Sequence, residues 1–409
     1  MAEEVPQAAK PRAGRSLFTY VYRGGVAAVL LYIVFIGTLS IPAIQKQAVF
    51  KHGLKFPMYA NYDAPEKYSL APGKALNVHF STPDNFTLGA WFVLADPYYQ
   101  HLRATSPDTL SPLTESVVRD AIRAHPTILF LHGAGGTRAS PWRLASYRAF
   151  NARLHANVFA VDYRGFGDST GSPDAPGLAL DAYTAWTWLG ERGAAPGDVV
   201  VVGQSLGTGV AAQLMRRLAE ESVVPRGVAL LAPFSKMGTL IETYAILGVP
   251  VLRPLQSFPW GVKLLKRLIR HELDTLSAIG GLHAPTLLAH AQDDAVIPHA
   301  HSRTLIDTLL APLLPALSAK SSVPDTDLSP EELLARRQLE EEHSTRRGEV
   351  VRTTEVPNFG VVEEFKGLRA PVVYVESFAG FHAQIGLQEG VQDEMAKLFG
   401  LGVYRVLGD

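Results

Sequence analysis

Short apolar runs recur along the chain after residue 125: Thr127–Leu131, Val158–Val161, Val199–Val202, Val228–Leu231, Thr286–Ala289 and Val372–Val375. Each is rich in β-branched or aliphatic residues and bounded by turn residues, the pattern of a strand buried on both faces of a parallel sheet. Helix-period patterns lie between several of them, most clearly at Pro141–His155, Leu178–Leu189 and Leu206–Glu220. Ahead of them, Leu76–Ser81 and Leu88–Leu94 flank the turn residues Thr82-Pro83-Asp84-Asn85 and read as a hairpin. Strand–helix alternation behind a hairpin predicts one α/β domain over residues 73–409, with a mostly parallel central sheet and flanking helices.

Two insertions interrupt the alternation. Residues 234–283 hold a Pro-punctuated apolar stretch, Ala245–Trp260, followed by a basic amphipathic pattern. One helix is expected there, with Leu265, Leu268, Ile269, Leu273 and Leu276 on one face and Lys263, Lys266, Arg267 and Arg270 away from it. Such an element is a cap packed on the domain or a lipid-facing lid. Residues 312–358 are dominated by Pro, Ser and charge around a helix-like block, Pro330–His343, and are expected to form a mobile surface loop.

The N-terminal pattern is different. Residues 1–23 are a polar tail, and 24–44 are uncharged (GGVAAVLLYIVFIGTLSIPAI). A helix of that length crosses about 30 Å, the hydrocarbon core of a bilayer. A retained single-pass transmembrane helix is predicted, because the tail is long for a signal peptide and no A-x-A site follows. Residues 45–72, broken by Pro57, Pro65 and Pro72, read as a connector. Lys10, Arg12, Arg15 and Arg23 before the span outweigh Lys46, Lys51 and Lys55 after it, which favours a cytosolic N-terminus and a lumenal body. The glycosylation sequon Asn85-Phe86-Thr87 fits that orientation.

Composition narrows the chemistry. Of 409 residues, 38 are Lys or Arg and 39 Asp or Glu, and this balance argues against a nucleic-acid partner. The chain has 0 cysteines, which excludes disulfides, thiolate metal sites and a Cys nucleophile. No cofactor or metal is expected.

G-x-S-x-G occurs twice. Gly203-Gln204-Ser205-Leu206-Gly207 directly follows the run Val199–Val202 and directly precedes a helix pattern. That is the strand–elbow–helix context in which a strained turn lifts a serine to the sheet's carboxyl edge. Gly167-Asp168-Ser169-Thr170-Gly171 has the same letters but runs into Ser172-Pro173-Asp174, so Ser169 is read as loop structure and Ser205 as the nucleophile. The Gly-rich stretch Leu131–Gly136 lacks a phosphate-loop pattern and suits an oxyanion hole. Ala134 and Leu206 would donate its two backbone N–H groups. His132 precedes the serine, the wrong order for a triad of this kind, and is read as structural.

The acid and base should follow the serine in that order. Asp293 and Asp294 follow the run Thr286–Ala289 at its carboxyl end; Asp294 is taken as the acid and Asp293 as a turn or supporting carboxylate. His382, beyond the last strand, is taken as the base. His299, His301 and His343 are read as surface residues. His382 would deprotonate Ser205, Asp294 would orient the imidazole, and an acyl-enzyme would form and be hydrolysed.

The segments LHGAGGTR (131–138), DYRGFGDSTGSP (162–173), GQSLGTGVA (203–211), HAQDDAVIP (290–298) and GFH (380–382) resemble the α/β-hydrolase superfamily. Within it they are similar to the membrane serine hydrolases of the α/β-hydrolase-domain-containing protein 12 group. The resemblance covers about residues 75–310 and 370–400 and the N-terminal span. It implies a lysophospholipid and monoacylglycerol lipase, with lysophosphatidylserine a prominent substrate, in the endoplasmic-reticulum membrane with a lumenal catalytic domain. It maps nucleophile, acid and base onto Ser205, Asp294 and His382, and oxyanion donors onto Ala134 and Leu206. Gln204 departs from the pattern, which usually has His there, and the 312–358 insertion is longer than expected. Three other classes compete. The triad serves amides as well as esters, so a peptidase of the same fold is one. His79–Asp84 matches the acyltransferase pattern H-x-x-x-x-D, and a non-catalytic membrane scaffold is the third.

Overall fold

The computed structural model describes residues 17–105, 113–243, 257–268, 271–316 and 325–403, together with Leu252 and Pro254. Ten strands form one sheet. In chain order they are β1 (Ala75–Ser81), β2 (Thr87–Val93), β3 (Thr127–Leu131), β4 (Asn157–Asp162), β5 (Val199–Gln204), β6 (Gly227–Leu231), β7 (Thr286–Ala291), β8 (Val351–Val356), β9 (Gly360–Lys366) and β10 (Pro371–Ser377). The spatial order is β1-β2-β4-β3-β5-β6-β7-β10-β9-β8. The six inner strands from β4 to β10 are mutually parallel, and the two at each end pair antiparallel.

The inner strands are the six apolar runs of the sequence. Alternate residues feed two cores, one on each face: Leu129, Leu131, Phe159 and Val201 on one, Ile128, Phe130, Val158 and Val200 on the other. Each fully buried large side chain contributes roughly 1.5–3 kcal/mol, so polar substitution on either face of these strands is costly. The helices are α1 (Leu17–Thr38), α2 (Pro42–Phe50), α3 (Asp96–Thr105), α4 (Glu115–Ala124), α5 (Pro141–Arg153), α6 (Ala175–Glu191), α7 (Leu206–Glu220), α8 (Met237–Thr243), α9 (Pro259–Leu268), α10 (Thr275–Ile279), α11 (Ala300–Leu310), α12 (Pro330–Val350), α13 (Phe381–Gln384) and α14 (Glu389–Phe399).

Three expectations change. The apolar helix α1 runs from Leu17 to Thr38, not Gly24 to Ile44, so it takes in Arg23, and none of its residues is buried against the protein. The break has a local cause: Pro42 bars helical backbone at Ile41, which is extended (φ −75°, ψ 121°), and then opens α2 as its first residue. The basic pattern after Pro259 is two helices, not one. Asp274 accepts a hydrogen bond from Ser277 N at 2.9 Å and starts α10 afresh. Leu273 between them is buried in the core. Arg270 and Ile269, and most of Ala245–Trp260, lie outside the described residues.

The 312–358 insertion is the third. Its described part carries the 21-residue α12 and strand β8, which extends the sheet through β9. Ser329 and Glu332 form a capping box that starts α12. Arg347 reaches Glu363 on β9 at 3.0 Å, while Arg303 bridges Glu363 and Glu376 at 2.8 and 2.7 Å. Arg347 of the insertion thus joins Arg303, Glu363 and Glu376 in a charge network at the sheet edge.

Candidate active site

The sheet's carboxyl edge collects the nominated residues. Strand β5 is buried throughout and delivers Ser205 into a turn with φ 52° and ψ −119°, a conformation non-glycine residues rarely adopt. Two features hold it there. Ser205 N donates to Leu231 O at 2.9 Å, and the flanking glycines admit backbone where a side chain could not fit. A Cβ on Gly207 would lie 2.8 Å from His132 O, and one on Gly203 would strike Ala211 Cβ at 2.9 Å. The elbow thus needs both glycines.

Ser205 Oγ lies 2.7 Å from His382 Nε2, and His382 Nδ1 lies 2.8 Å from Asp294 Oδ2. The structure therefore brings Ser205, His382 and Asp294 into one hydrogen-bonded chain. Asp294 Oδ1 accepts from Val296 N at 2.8 Å and Ile297 N at 2.9 Å. Burial opposes the charge of Asp294. Hydrogen bonds from His290, His382 and the Ile297 peptide outweigh it and hold the carboxyl well below the usual carboxylate range. An anionic Asp294 is an acceptor for an N–H at His382 Nδ1, an arrangement that turns an unprotonated Nε2 toward Ser205 Oγ.

Three further groups support this chain, and His290 among them left little trace in the sequence. His290, fully buried on β7, shares Asp294 Oδ2 at 3.2 Å and also meets Ile297 O at 2.9 Å. Its other nitrogen meets Ser302 Oγ at 2.6 Å. Asp293 accepts from Phe381 N at 2.7 Å and Gly380 N at 3.3 Å, which fits the supporting carboxylate expected of it. Gln204 Nε2 donates to Ala383 O at 3.1 Å, so this departure from the family pattern ties the elbow to the histidine turn.

The loop after β3 closes on the elbow. A Cβ on Gly133 would stand 3.2 Å from Ser205 Cβ, and Ala134 is next in the chain. Leu206 opens α7 directly behind the serine. One peptide N–H at a helix start and one from the glycine loop suit an anion developing on a substrate carbonyl. Buried Arg143 clamps this loop from within: Nη2 donates to Gly133 O at 2.9 Å and also to Gly135 O. The one sequence signal for Arg143 is an arginine on the buried side of an otherwise apolar helix face. His132 is enclosed by Tyr163 and Phe166, with ring centroids 4.3 and 5.0 Å away. Burial, aided by the nearby Arg143 charge, pushes its pKa down to about 4. It is a neutral core imidazole.

Other candidates have other work. Ser169 Oγ donates to Asp162 O at 2.7 Å and accepts from Gly89 N at 2.9 Å, which locks its loop to β2. The two residues of the H-x-x-x-x-D pattern are engaged separately: His79 meets Asp168 at 2.9 Å and Asp84 meets Arg164 at 2.8 Å. Asn85 is exposed at the β1–β2 turn with φ 64°. His301, expected at the surface, is buried. Its Nδ1 meets Ser235 Oγ at 2.9 Å, and burial pushes its pKa down to about 4, with nearby His290 adding to the effect. It occupies the inward face of α11, which the sequence did not distinguish from the polar segment before it.

Residues 128–376 match the model of the alpha/beta hydrolase family. Proteins named lysophosphatidylserine lipase ABHD12 are similar. The one from Danio rerio is 28% identical over 268 residues, 65% of this chain and 66% of its own length. The Xenopus tropicalis protein is 29% identical over 279 residues, 66% of each chain. Human protein ABHD12B is 32% identical over 198 residues, 47% of this chain and 51% of that protein. The chain thus spans just under two thirds of the length of the first two relatives. An alpha-beta hydrolase structure from Vibrio vulnificus shares the fold, with a TM-score of 0.52 at 14% identity, covering 87% of this chain and 92% of the other. The six-stranded parallel core, the strained elbow and the match over most of that core agree, and the chain belongs to the alpha/beta hydrolase family.

Proposed function

We propose that this protein is a serine hydrolase that cleaves carboxylic esters of single-chain lipids, lysophospholipids or monoacylglycerols, through Ser205, His382 and Asp294. One observation carries the reading: the unbroken hydrogen-bonded chain from Ser205 Oγ through His382 to Asp294, at 2.7 and 2.8 Å. In the reaction His382 takes the serine proton as Ser205 attacks the ester carbonyl, and the N–H groups of Ala134 and Leu206 receive the oxyanion. His382 then returns the proton to the departing alcohol, and water, deprotonated by the same imidazole, releases the fatty acid. Asp294 stays ionised throughout.

Two supports favour a lipid. The relatives from Danio rerio and Xenopus tropicalis are named lysophosphatidylserine lipases. The 22-residue helix α1 has the length and apolar character to cross a bilayer. We read it as a single-pass anchor with the body on the lumenal side of the endoplasmic reticulum, following the flanking charges. The partners are then the lipid substrate and the bilayer. The test is a lipid extract incubated with purified protein and with Ser205→Ala. Loss of lysophospholipids or monoacylglycerols with the wild type alone is expected. No loss of either lipid class with the wild type, or equal loss with both proteins, would overturn the proposal.

A further inference from the structure

The segment between the apolar helix and the body is built into the nominated oxyanion loop. Leu39, Ser40 and Ile41 alone separate α1 from α2, and Gln45 Nε2 reaches back to Leu39 O at 3.3 Å. The same amide donates to Leu268 O of α9 at 3.0 Å. Helix α2 ends on Phe50, which is fully buried with its ring edge-on to His271 at 5.1 Å. Lys51 then turns the chain with φ 51°.

From there the chain runs along the outer side of the loop that Arg143 clamps from within. Gly135 N donates to Phe50 O at 2.9 Å and Gly136 N to Leu54 O at 2.7 Å. Ser140 Oγ and Thr137 Oγ1 both donate to Phe56 O, at 2.6 and 3.2 Å. Phe56 stacks on Trp142 with ring centroids 5.8 Å apart. Gly135 and Gly136 have φ of +67° and +66°, and a Cβ on Gly135 would touch Lys51 Cβ at 3.4 Å. On the far side, Lys55 Nζ donates to Gly167 O at 2.7 Å and Lys46 Nζ to Ser172 Oγ at 2.9 Å. The loop carrying Ala134 therefore owes its outer hydrogen bonds to residues 50–56.

We propose that Pro42–Phe56 is a positioning strap: it sets the oxyanion loop and so couples anchoring of α1 in a bilayer to the competence of the site. The inference rests on the hydrolase and anchor readings above. The physical reason is reach. Nine residues of helix span about 14 Å, so an anchored α1 leaves the strap, and the loop bonded to it, close to the membrane surface. A pull on α2 is passed to Phe50, and Phe50 O holds Gly135, the neighbour of Ala134. A donor displaced by a few tenths of an ångström still binds a ground-state carbonyl but serves the oxyanion poorly.

The test uses the full chain. Phe50→Ala should lower kcat on a soluble short-chain ester about tenfold or more, since a displaced donor costs less than the roughly 10²–10³-fold lost with a missing one. KM should change less than twofold, and Phe50→Leu should restore most of the rate. A Ser140→Ala, Phe56→Ala pair, which removes the hydrogen bonds of the Ser140 hydroxyl to Phe56 O and Thr137 N together with the Trp142 stack, should lower kcat severalfold even if Phe50→Ala does not fold. Separately, six Gly/Ser residues inserted after Leu39 should leave the soluble-ester rate in detergent unchanged and cut hydrolysis of bilayer-borne monoacylglycerol severalfold. Unchanged kcat in the folded strap variants would overturn the positioning role, and an unchanged bilayer rate in the insertion variant would overturn the coupling. Ser205→Ala run alongside separates both from failure of the hydrolase reading: an active Ser205→Ala means the wrong site was chosen.

Discussion

Asp293 and Asp294, neighbours in the chain, grip the histidine turn at two different points. Asp294 Oδ2 meets the His382 ring at 2.8 Å, whereas Asp293 Oδ1 accepts from the Phe381 backbone N–H at 2.7 Å. One carboxylate faces the imidazole Nδ1 and the other the backbone of the turn. Asp294→Asn presents an amide to Nδ1 and favours the wrong tautomer, so kcat should fall by about 10⁴-fold. Asp293→Asn keeps one oxygen for the turn and should cost about tenfold. Steady-state kinetics of the two variants on one ester decide the matter, and the reverse ranking would show that the roles are exchanged.

The two G-x-S-x-G serines should separate under a fluorophosphonate probe. Ser205→Ala removes the hydroxyl that faces His382 and should abolish labelling. Ser169→Ala should still label. It loses a buried hydroxyl that both donates to Asp162 O and accepts from Gly89 N, which should cost about 1–3 kcal/mol of stability. Labelling of Ser205→Ala at the wild-type rate would remove Ser205 from the mechanism.

Stability should fall with acid through buried imidazoles. His132 and His301 each have a folded pKa near 4, lowered mainly by burial, against about 6.5 when unfolded. Between those values the unfolded chain binds more protons, so stability rises with pH. The contribution is complete above about pH 6.5 and is lost as pH falls toward 4, on the order of 3 kcal/mol for each group. His301→Asn keeps an acceptor near the Nδ1 position and removes the titration. Its melting temperature should fall less between pH 7 and pH 4.5 than that of the wild type, and identical slopes would refute the assignment.

What the sequence disclosed follows from where its signals are stored. The inner strands were legible because burial on two faces demands continuous apolar runs. Strands β8 and β9 were not, since their Arg352, Glu363 and Glu364 serve ion pairs and hide the period. Ser205, Asp294 and His382 could be nominated because each follows the carboxyl end of a strand, in a fixed chain order. Arg143, His290 and the strap could not. Arg143 and Phe50 hold backbone atoms of the Gly133–Gly136 loop, which give the sequence no complementary side chain to read. His301 was misplaced for a similar reason, since a polar residue gives no hint which side of α11 turns inward.

The last prediction concerns α9. Lys263, Lys266 and Arg267 are exposed on it, as are Trp260 and Leu268, and Gln45 of the strap donates to its C-terminal residue Leu268. Phe258, just before the helix, is also exposed and lies 6.4 Å from Trp260. An exposed aromatic pair beside a basic cluster fits a membrane interface, with the rings at the acyl boundary and the cations near anionic head groups. Each such cation is worth about 1 kcal/mol at an anionic surface and almost nothing at a neutral one. Changing Lys263, Lys266 and Arg267 together to Gln should therefore cut hydrolysis on anionic vesicles by tenfold or more and leave neutral vesicles within about twofold. Added salt should erase the wild type's preference by screening the same attraction. The measurement is initial rate on both vesicle types, wild type beside variant, at low and high salt. Equal losses on both surfaces would mean that α9 is only a cap packed on the domain, with its charges turned to water.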